Sequence, residues 1–92
     1  MERVKRTRQL ERIVKGFANH RRIEIMMLIE QKPELSLWEI ARELSINFKT
    51  ASEHTRRLAI AGLVMKRYEG NTVRHALSDT GKSILKFLRI LE

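Results

Sequence analysis

Apolar residues recur at intervals of three and four near the start of the chain, which predicts a helix over roughly residues 2–17. Its apolar face consists of Leu10, Ile13, Val14 and Phe17. A second helix is predicted over residues 20–31, with Asn19 as a suitable N-cap and Pro33 preventing its continuation. Its segment IEIMMLIE is apolar around much of the helix circumference, so we expect this helix to lie at the centre of the core.

A short third helix is predicted to begin after Ser36. In the segment SLWE, Glu39 follows Ser36 by three residues, which is the spacing of a capping box. The buried face of this helix is expected to consist of Leu37, Ile40, Ala41 and Leu44. A short connection leads to Asn47, a suitable cap for a fourth helix that runs to about residue 62. Two helices separated by a turn of about three residues are typical of a helix-turn-helix, here over residues 36–62.

The pattern changes after Gly62 from helical spacing to short runs typical of strands. The segments LVMKRY and TVRHAL are joined by EGN, which predicts a hairpin over residues 63–78. A last helix, capped by Asp79 or Thr80, is expected to follow. Its apolar face consists of Ile84, Phe87, Leu88 and Leu91. The sequence thus predicts one domain over residues 1–92, mostly α with a small β-hairpin, in the order α-α-α-α-β-β-α.

The fourth predicted helix has two unlike faces when its residues are placed about 100° apart. The inner face is thin and consists of Phe48, Ala51, Thr55, Leu58, Ala59 and Gly62. Within it, Thr55 weakens the core if its hydroxyl lacks a partner. The outer face carries side chains of the kinds that meet phosphates and base edges, among them Lys49 and Arg56. Free N–H groups at the first turn also favour a phosphate. The alternative is that Asn47 is simply a helix cap and Arg56 simply a solvated surface charge.

The chain carries a net charge of +8, and the charge is unevenly placed. Residues 1–22 contain eight basic residues against two acidic ones, residues 23–46 contain two against five, and residues 47–92 contain nine against four. Basic ends around an acidic middle indicate a surface that faces a polyanion, although a merely solvated surface would give the same composition. The chain has no cysteine, and no apolar run is long enough for a membrane span or a signal peptide. We therefore expect a cytoplasmic protein without disulfides.

From Asn19 to Leu77 the chain resembles the winged helix-turn-helix repressors of the ArsR group. The resemblance rests on the segments NHRRIEIMMLI, LSLWEIARELSINFKTASEHTRRLAIAGLV and RYEGNTVRHALSDTG. Ser52, His54, Leu58 and the segment AGLV match the usual end of the family's recognition helix. MarR-like and other dimeric winged-helix repressors share much of this pattern. The resemblance implies a homodimer that places two recognition helices in successive major grooves, with the hairpin as a wing on the flanking DNA.

In the family that the chain resembles, the first and last helices usually form the dimer interface. The resemblance therefore implies dimerisation through residues 1–18 and 79–92. The side chains concerned are Leu10, Ile13, Val14, Phe17, Ile84, Phe87, Leu88 and Leu91. The same two faces could instead complete the core of a single protomer.

Two departures from the family's pattern concern metal binding. Ser36 and Trp38 stand where metal-sensing members carry paired cysteines, which excludes a thiolate site. The last helix contains no histidine, and its acids Asp79 and Glu92 lie at opposite ends, so a carboxylate–imidazole site has no ligands. We expect no metal and no other cofactor, and the sequence does not identify an effector. Catalysis is not expected either, because no glycine-rich phosphate loop or paired-carboxylate motif occurs.

Further departures concern the expected DNA-reading surface. Glu53 would repel phosphate but can accept from a cytosine amino group, or it can form an ion pair with Arg57 on the helix surface. Phe48 can touch a thymine methyl group, although packing against Leu44 is favoured. Trp38 can donate to the DNA backbone through its indole N–H, although covering the edge of the core is favoured.

The sequence predicts a sequence-specific double-stranded DNA-binding transcriptional regulator, acting as a homodimeric repressor that occupies a pseudo-palindromic operator. The residues expected to face DNA from helix 47–62 are Asn47, Lys49, Thr50, Ser52, Glu53, Arg56 and Arg57. Those expected from the wing, residues 64–77, are Lys66, Arg67, Asn71, Thr72 and Arg74. One alternative is a sequence-tolerant nucleoid or architectural DNA binder, favoured by the basic run RVKRTR. The other is a winged helix used for protein or RNA contact.

Overall fold

A computed structural model describes the backbone of residues 2–92 and the side chains of residues 6–92. The side chains of residues 1–5, and with them half of the basic run RVKRTR, lie outside the described part. The elements are α1 (Glu2–Phe17), α2 (His20–Gln31), α3 (Leu37–Leu44), α4 (Phe48–Ile60), β1 (Val64–Glu69), β2 (Thr72–Leu77) and α5 (Asp79–Ile90). The predicted order α-α-α-α-β-β-α is confirmed.

Side-chain caps start the helices of the helix-turn-helix where the sequence predicted them. The carboxyl of Glu39 accepts from the backbone N–H of Ser36, and the Ser36 hydroxyl accepts from the backbone N–H of Glu39, so the capping box is complete. The side-chain oxygen of Asn47 accepts from the backbone N–H of Thr50 at 3.0 Å and begins α4. Between the two helices Ser45 adopts the left-handed conformation with φ 54°, which turns the chain sharply.

The cap of α5 differs from the prediction, because Ser78 rather than Asp79 or Thr80 begins the helix. The Ser78 hydroxyl accepts from the backbone N–H of Gly81 at 3.0 Å and donates to the carbonyl of Gly62 at 2.7 Å. The second bond crosses to the segment before the hairpin, so a tertiary contact selects the cap among three neighbouring residues with suitable side chains.

The core is built around α2, as its apolar circumference predicted. Ile25, Met26 and Ile29 are buried, and α2 packs against α3, α4, β2 and α5. The other fully buried apolar side chains of the core include Ile40, Leu58, Leu63 and Leu85. Full burial of side chains of this size contributes roughly 1.5–3 kcal/mol each to folding, so α2 is the element on which the domain depends.

The hairpin is antiparallel, and its register pairs Val64 with Leu77 at the base and Glu69 with Thr72 at the tip. Gly70 at the tip has φ 60°, which a residue without a Cβ adopts readily. At the base, the segment before α3 joins the sheet through a bridge between Leu35 and His75. This bridge fixes the wing to the N-terminal end of the helix-turn-helix.

Helix α1 packs mainly against α4 and leaves much of its own apolar face uncovered. A Cβ added at Gly16 would overlap the Cβ of Ala61, so glycine allows the two helices to approach closely. Phe17, which was predicted to serve dimerisation, is only 8% exposed and belongs to the core of the single protomer. For this residue the alternative interpretation, that it completes the core of the protomer, agrees with the structure.

Candidate nucleic-acid interface

Helix α4 buries a narrow face of small and apolar residues and exposes a broad polar one. Ala51, Thr55 and Leu58 are buried, as the helical wheel predicted, whereas Phe48 and Gly62, which it placed on the same face, are exposed. The residues of the predicted reading surface that are exposed are Asn47, Lys49, Glu53, Arg56 and Arg57, and those that are half-buried are Thr50 and Ser52. Glu53 and Arg57 form no ion pair in the part of the chain that the structure describes, so the carboxylate of Glu53 is directed to solvent. The helix therefore offers cations, a hydroxyl and one acid along one side.

The inner face of α4 contains one unsatisfied polar atom. Thr55 is 1% exposed, and its hydroxyl oxygen has no hydrogen-bond partner in the described part of the chain. A buried hydroxyl without a partner lowers stability, as the sequence indicated.

A half-buried contact between α2 and α4 holds α4 in position. The Arg22 guanidinium donates through Nε to His54 Nδ1 at 3.1 Å and through NH1 to the carbonyls of Lys15 and Gly16. Burial, followed by the charge of Arg22, lowers the pKa of His54. The neutral imidazole is therefore the acceptor that this arrangement requires, and it ties α4 to the end of α1 and the start of α2.

Two aromatic side chains stand at the N-terminal ends of α3 and α4. Trp38 is 69% exposed, and its ring stacks on that of Phe48. The favoured reading of Trp38, a cover for the edge of the core, is wrong, because most of the indole faces solvent. These rings and the wing border a groove of about 320 Å³ that is also lined by Lys66, Asn71 and Thr72.

Two arginines of the predicted wing are engaged in ion pairs with acids of the same chain. Arg67 donates to Glu34 at 2.8 Å and to Glu69 at 3.2 Å, and its pKa is raised chiefly by Glu34. Arg74 lies 3.5 Å from the carboxylate of Glu39 and 3.4 Å from that of Glu69. Hydrogen bonds from Ser36, with help from Arg74, keep the pKa of Glu39 below its usual range. These arginines hold the wing against the start of α3.

His75, the remaining basic residue of the hairpin arms, is 2% exposed and takes no part in the wing surface. Its Nδ1 lies 2.8 Å from the carbonyl of Leu35 and donates to it, since a carbonyl only accepts. Burial lowers the pKa of His75, so the ring is held neutral in the core.

The acids of residues 23–46 are all neutralised within the protomer. The pairs are Glu24 with Arg21, Glu30 with Arg89, Glu34 with Arg67, Glu39 with Arg74 and Glu43 with Lys32. The basic residues left without an acidic partner among residues 6–92 include Lys49, Arg56, Arg57 and Lys66. Cations without an acidic partner among residues 6–92 thus lie on α4 and on one strand of the wing, and also on α1 and α5.

Sequence reasoning missed two features of this surface. The Trp38–Phe48 contact joins residues ten positions apart on different helices, and only their position at the first turn of two adjoining helices hinted at it. The second feature is Ile60, which is 73% exposed at the end of α4 beside Arg56 and Arg57. The helical wheel places Ile60 on the polar side of α4, so its exposure could be predicted, but no role was predicted for it.

The described part of the chain has no group of three or more histidine, cysteine, aspartate or glutamate residues that could hold a metal ion. No described helix is both long and apolar enough to cross a membrane.

Three comparisons place this architecture among known proteins. Residues 19–66 match the family described as bacterial regulatory protein, arsR family. The transcriptional activator HlyU of Vibrio cholerae is 34% identical over 80 residues, which cover 86% of this chain and 73% of that protein. The structure of reduced HlyU from the same organism superposes with a TM-score of 0.79 at 32% identity, covering 98% of this chain and 95% of that one.

A fourth likeness concerns a solution structure from Mycobacterium bovis. It is described as the homodimeric winged helix-turn-helix DNA-binding domain of a possible ArsR-family transcriptional regulator, and it superposes with a TM-score of 0.87 at 27% identity over 96% of this chain and 82% of that one. The predicted resemblance is confirmed over more than half of the chain. The chain belongs to the arsR family of bacterial regulatory proteins and is a transcriptional regulator with a winged helix-turn-helix DNA-binding domain.

Proposed function

We propose that this regulator binds a specific double-stranded operator as a homodimer, with α4 in the major groove. The observation that carries the proposal is the division of α4, whose small inner face packs on the core while Lys49, Glu53 and Arg56 stand out in solvent. Cations contact phosphates and guanines, and Glu53 supplies an acceptor for a cytosine amino group. Asn47, Thr50, Ser52 and Arg57 complete the proposed contact surface of the helix.

We further propose that the wing contacts DNA beside the groove that α4 enters. Lys66, Asn71 and Thr72 border the groove next to the first turn of α4, which supports a phosphate-contacting role for them. Arg67 and Arg74 act differently in this proposal, since their ion pairs with Glu34, Glu39 and Glu69 fix the wing in place. They contribute to DNA binding chiefly by positioning the wing.

Dimerisation is proposed to use the uncovered apolar faces of α1 and α5. Leu10 and Val14 on α1 and Phe87 and Leu91 on α5 are each more than half exposed, and Ile90 adds a further apolar side chain that is 76% exposed. Ile13, Ile84 and Leu88 are half-buried and support this face from the core side. Exposed apolar residues on two elements of one small domain indicate a protein contact. The likeness to a homodimeric domain from Mycobacterium bovis supports dimerisation itself.

The proposed mode of regulation is repression by occupancy, in which the bound dimer excludes RNA polymerase from the promoter. Activation is the alternative, because the relative HlyU is named a transcriptional activator. Reporter genes that carry the operator either across a promoter or upstream of it distinguish repression from activation. A binding rather than a catalytic role, and a cytoplasmic location where the protein meets DNA, belong to this proposal.

The experiment that tests the proposal is selection of bound duplexes from a random pool, followed by sizing of the complex. A two-fold symmetric consensus bound by two chains is the expected result. Equal affinity for the consensus and for unrelated DNA would instead support a sequence-tolerant nucleoid binder. Failure to bind any duplex at low salt would support a winged helix that contacts protein or RNA.

A further inference from the structure

A groove of about 380 Å³ lies between α1 and the C-terminal half of α4, on the side of the protomer where Gly16 meets Ala61. Five of the eight residues that line it are cations, called the rim below, and the other three are small or apolar, called the floor. The cations are Arg12, Lys15, Arg22, Arg56 and Arg57, and the floor residues are Gly16, Ile60 and Ala61. A concave site of this volume is within the range of small-molecule sites in proteins.

The five cations of the rim are poorly compensated by acids. Lys15 pairs with Glu11 at 3.3 Å on the solvent side of α1, but no acid lines the groove itself. Among residues 6–92, Arg12, Arg56 and Arg57 form no ion pair. Five like charges around one concavity repel one another, and an anion placed among them would relieve that repulsion.

One of the cations is held rigidly towards the groove. Arg22 is anchored by three hydrogen bonds, which it donates to His54 and to the carbonyls of Lys15 and Gly16. Burial and the charge of Arg57 lower the pKa of Arg22, while Glu53 acts in the opposite direction. The guanidinium at this position is therefore fixed in place before any ligand arrives.

The floor of the groove distinguishes it from a plain phosphate-contact surface. Ile60 is 73% exposed, and with Ala61 and Gly16 it presents apolar surface to whatever lies between the helices. A DNA phosphate would use the cations but leave this surface in water. A molecule with an anionic head and an apolar body would use both.

We propose that the groove between α1 and α4 is a binding site for an amphipathic organic anion, in which a carboxylate or similar head meets the arginines and a short apolar body covers Ile60 and Ala61. A second copy of this chain is a poor occupant, because the protein carries a net charge of +8 and its acids at residues 23–46 are already paired. Charge complementarity thus selects a small anion over a second protomer.

Occupancy of the groove bears on DNA binding, and this part of the inference rests on the function proposed above. Arg56 and Arg57 belong both to the groove and to the proposed DNA-contacting side of α4. An anion bound to them competes with phosphate, so the ligand weakens operator binding and DNA weakens ligand binding by the same factor. The site would be an effector site placed outside the dimer face.

The test titrates the 92-residue protein with octanoate, acetate or 1-octanol in the absence of DNA. Binding is monitored through the backbone amide resonances. Octanoate is expected to shift the amides of Gly16, Ile60 and Ala61 in a saturable manner. Acetate, which lacks the apolar body, and 1-octanol, which lacks the charge, are expected to bind more weakly. Arg12→Gln or Arg57→Gln should each weaken octanoate binding about tenfold, the effect of losing one charged hydrogen bond. Lys82→Gln, an exposed lysine of α5 outside the groove, is the matched control and should leave binding unchanged.

Several outcomes would overturn the proposal. Acetate that binds as tightly as octanoate would show a plain anion surface, and 1-octanol that binds equally well would show nonspecific apolar contact. Shifts confined to other residues, or no saturable shift, would also reject the site. Because this titration contains no DNA, its failure is distinguishable from failure of the proposed function. In a second measurement, operator affinity that is unchanged by saturating octanoate would reject the effector role.

Discussion

The indole ring of Trp38 and the phenyl ring of Phe48 stack with their centroids 4.1 Å apart and their planes inclined by 28°. The pair joins the first turn of α3 to the first residue of α4, and both rings reach solvent beside the wing. An exposed aromatic surface at this place can meet the methyl group of thymine, the apolar feature of the major groove. Packing against its neighbour holds Phe48 in position for such a contact.

Phe48 is accordingly expected to read thymine methyl groups. Phe48→Ala should weaken operator binding about fourfold for each methyl contacted, the equivalent of one buried methylene. The measurement is a cycle in which all thymines of the selected operator are replaced by uracil, which lacks the methyl. The wild-type protein should bind the uracil operator more weakly than the thymine operator. The Phe48→Ala variant should bind the two operators with equal affinity.

Phe48→Leu is the control for this cycle, because it keeps an apolar side chain at the first position of α4. It should retain part of the discrimination between thymine and uracil. Equal losses for Phe48→Ala on the two operators would mean that the ring serves only to pack against Trp38.

Salt dependence should separate cations that contact phosphate from cations that fix the wing. Arg56→Gln and Lys66→Gln each remove a charge without an acidic partner among residues 6–92, so each should reduce the slope of log K against log salt by about 0.9. Arg67→Gln should leave the slope near the wild-type value, because its guanidinium is committed to Glu34 and Glu69. Affinities titrated with salt on one operator provide the measurement.

Lys82→Gln serves as the control for nonspecific loss of charge, since this exposed residue lies on α5. A slope that falls equally for Lys82→Gln and Arg56→Gln would show a general electrostatic effect rather than a contact of α4 with DNA.

Local features of the fold could be predicted from the sequence, because they depend on neighbours along the chain. The capping box at Ser36, the cap at Asn47 and the buried stripe of α4 each involve residues three or four positions apart. The cap of α5 was misplaced because its choice depends on the carbonyl of Gly62, sixteen residues earlier in the chain. Ser78 alone of the three candidates makes that bond while it caps the helix.

The candidate site was less predictable for the same physical reason. Residue types on one side of α4 could be read from the helical wheel, but the partners of the wing arginines could not. Arg67 reaches Glu34 across 33 positions, and the backbone carbonyl that Arg74 contacts is 40 positions away. An arginine that the sequence predicts to contact DNA can therefore be engaged, in the fold, in an ion pair with an acid that is distant in sequence.

Removing the unsatisfied hydroxyl of Thr55 should stabilise the protein. Thr55→Val keeps the shape of the side chain and replaces a buried, unpartnered oxygen by a methyl group, so the free energy of unfolding should rise by about 1 kcal/mol. Thr80→Val on the exposed side of α5 should change it by less than about 0.5 kcal/mol. Urea denaturation of the three proteins gives the comparison, and a loss of stability for Thr55→Val would show that the hydroxyl has a partner in solution.

Stability should fall as the pH is lowered through the range in which histidine titrates. The pKa values of His54 and His75 are lowered chiefly by burial, so the unfolded chain binds more protons than the folded one below the ordinary histidine pKa of about 6.5. Their contribution is therefore complete above that pH and is lost as the pH falls towards the folded-state values. The free energy of unfolding should be lower at pH 5 than at pH 7.5.

Variants assign this pH dependence to its source. His75→Gln and His54→Gln should each reduce the difference between the two pH values, whatever they do to stability at pH 7.5. If neither variant reduced the difference, burial of the two rings would not be its cause.

The close approach of α1 to α4 predicts that Gly16→Ala destabilises the protein although alanine favours a helix. In an open helix this substitution would add about 1 kcal/mol of stability. Here the new methyl group overlaps the Cβ of Ala61, so the helices must separate, and the expected net loss is about 1–3 kcal/mol. Adding Ala61→Gly to Gly16→Ala returns the missing space and should recover much of that loss. Denaturation of both single variants and the double variant measures the coupling, and additive effects would show that the two helices do not touch at this point in solution.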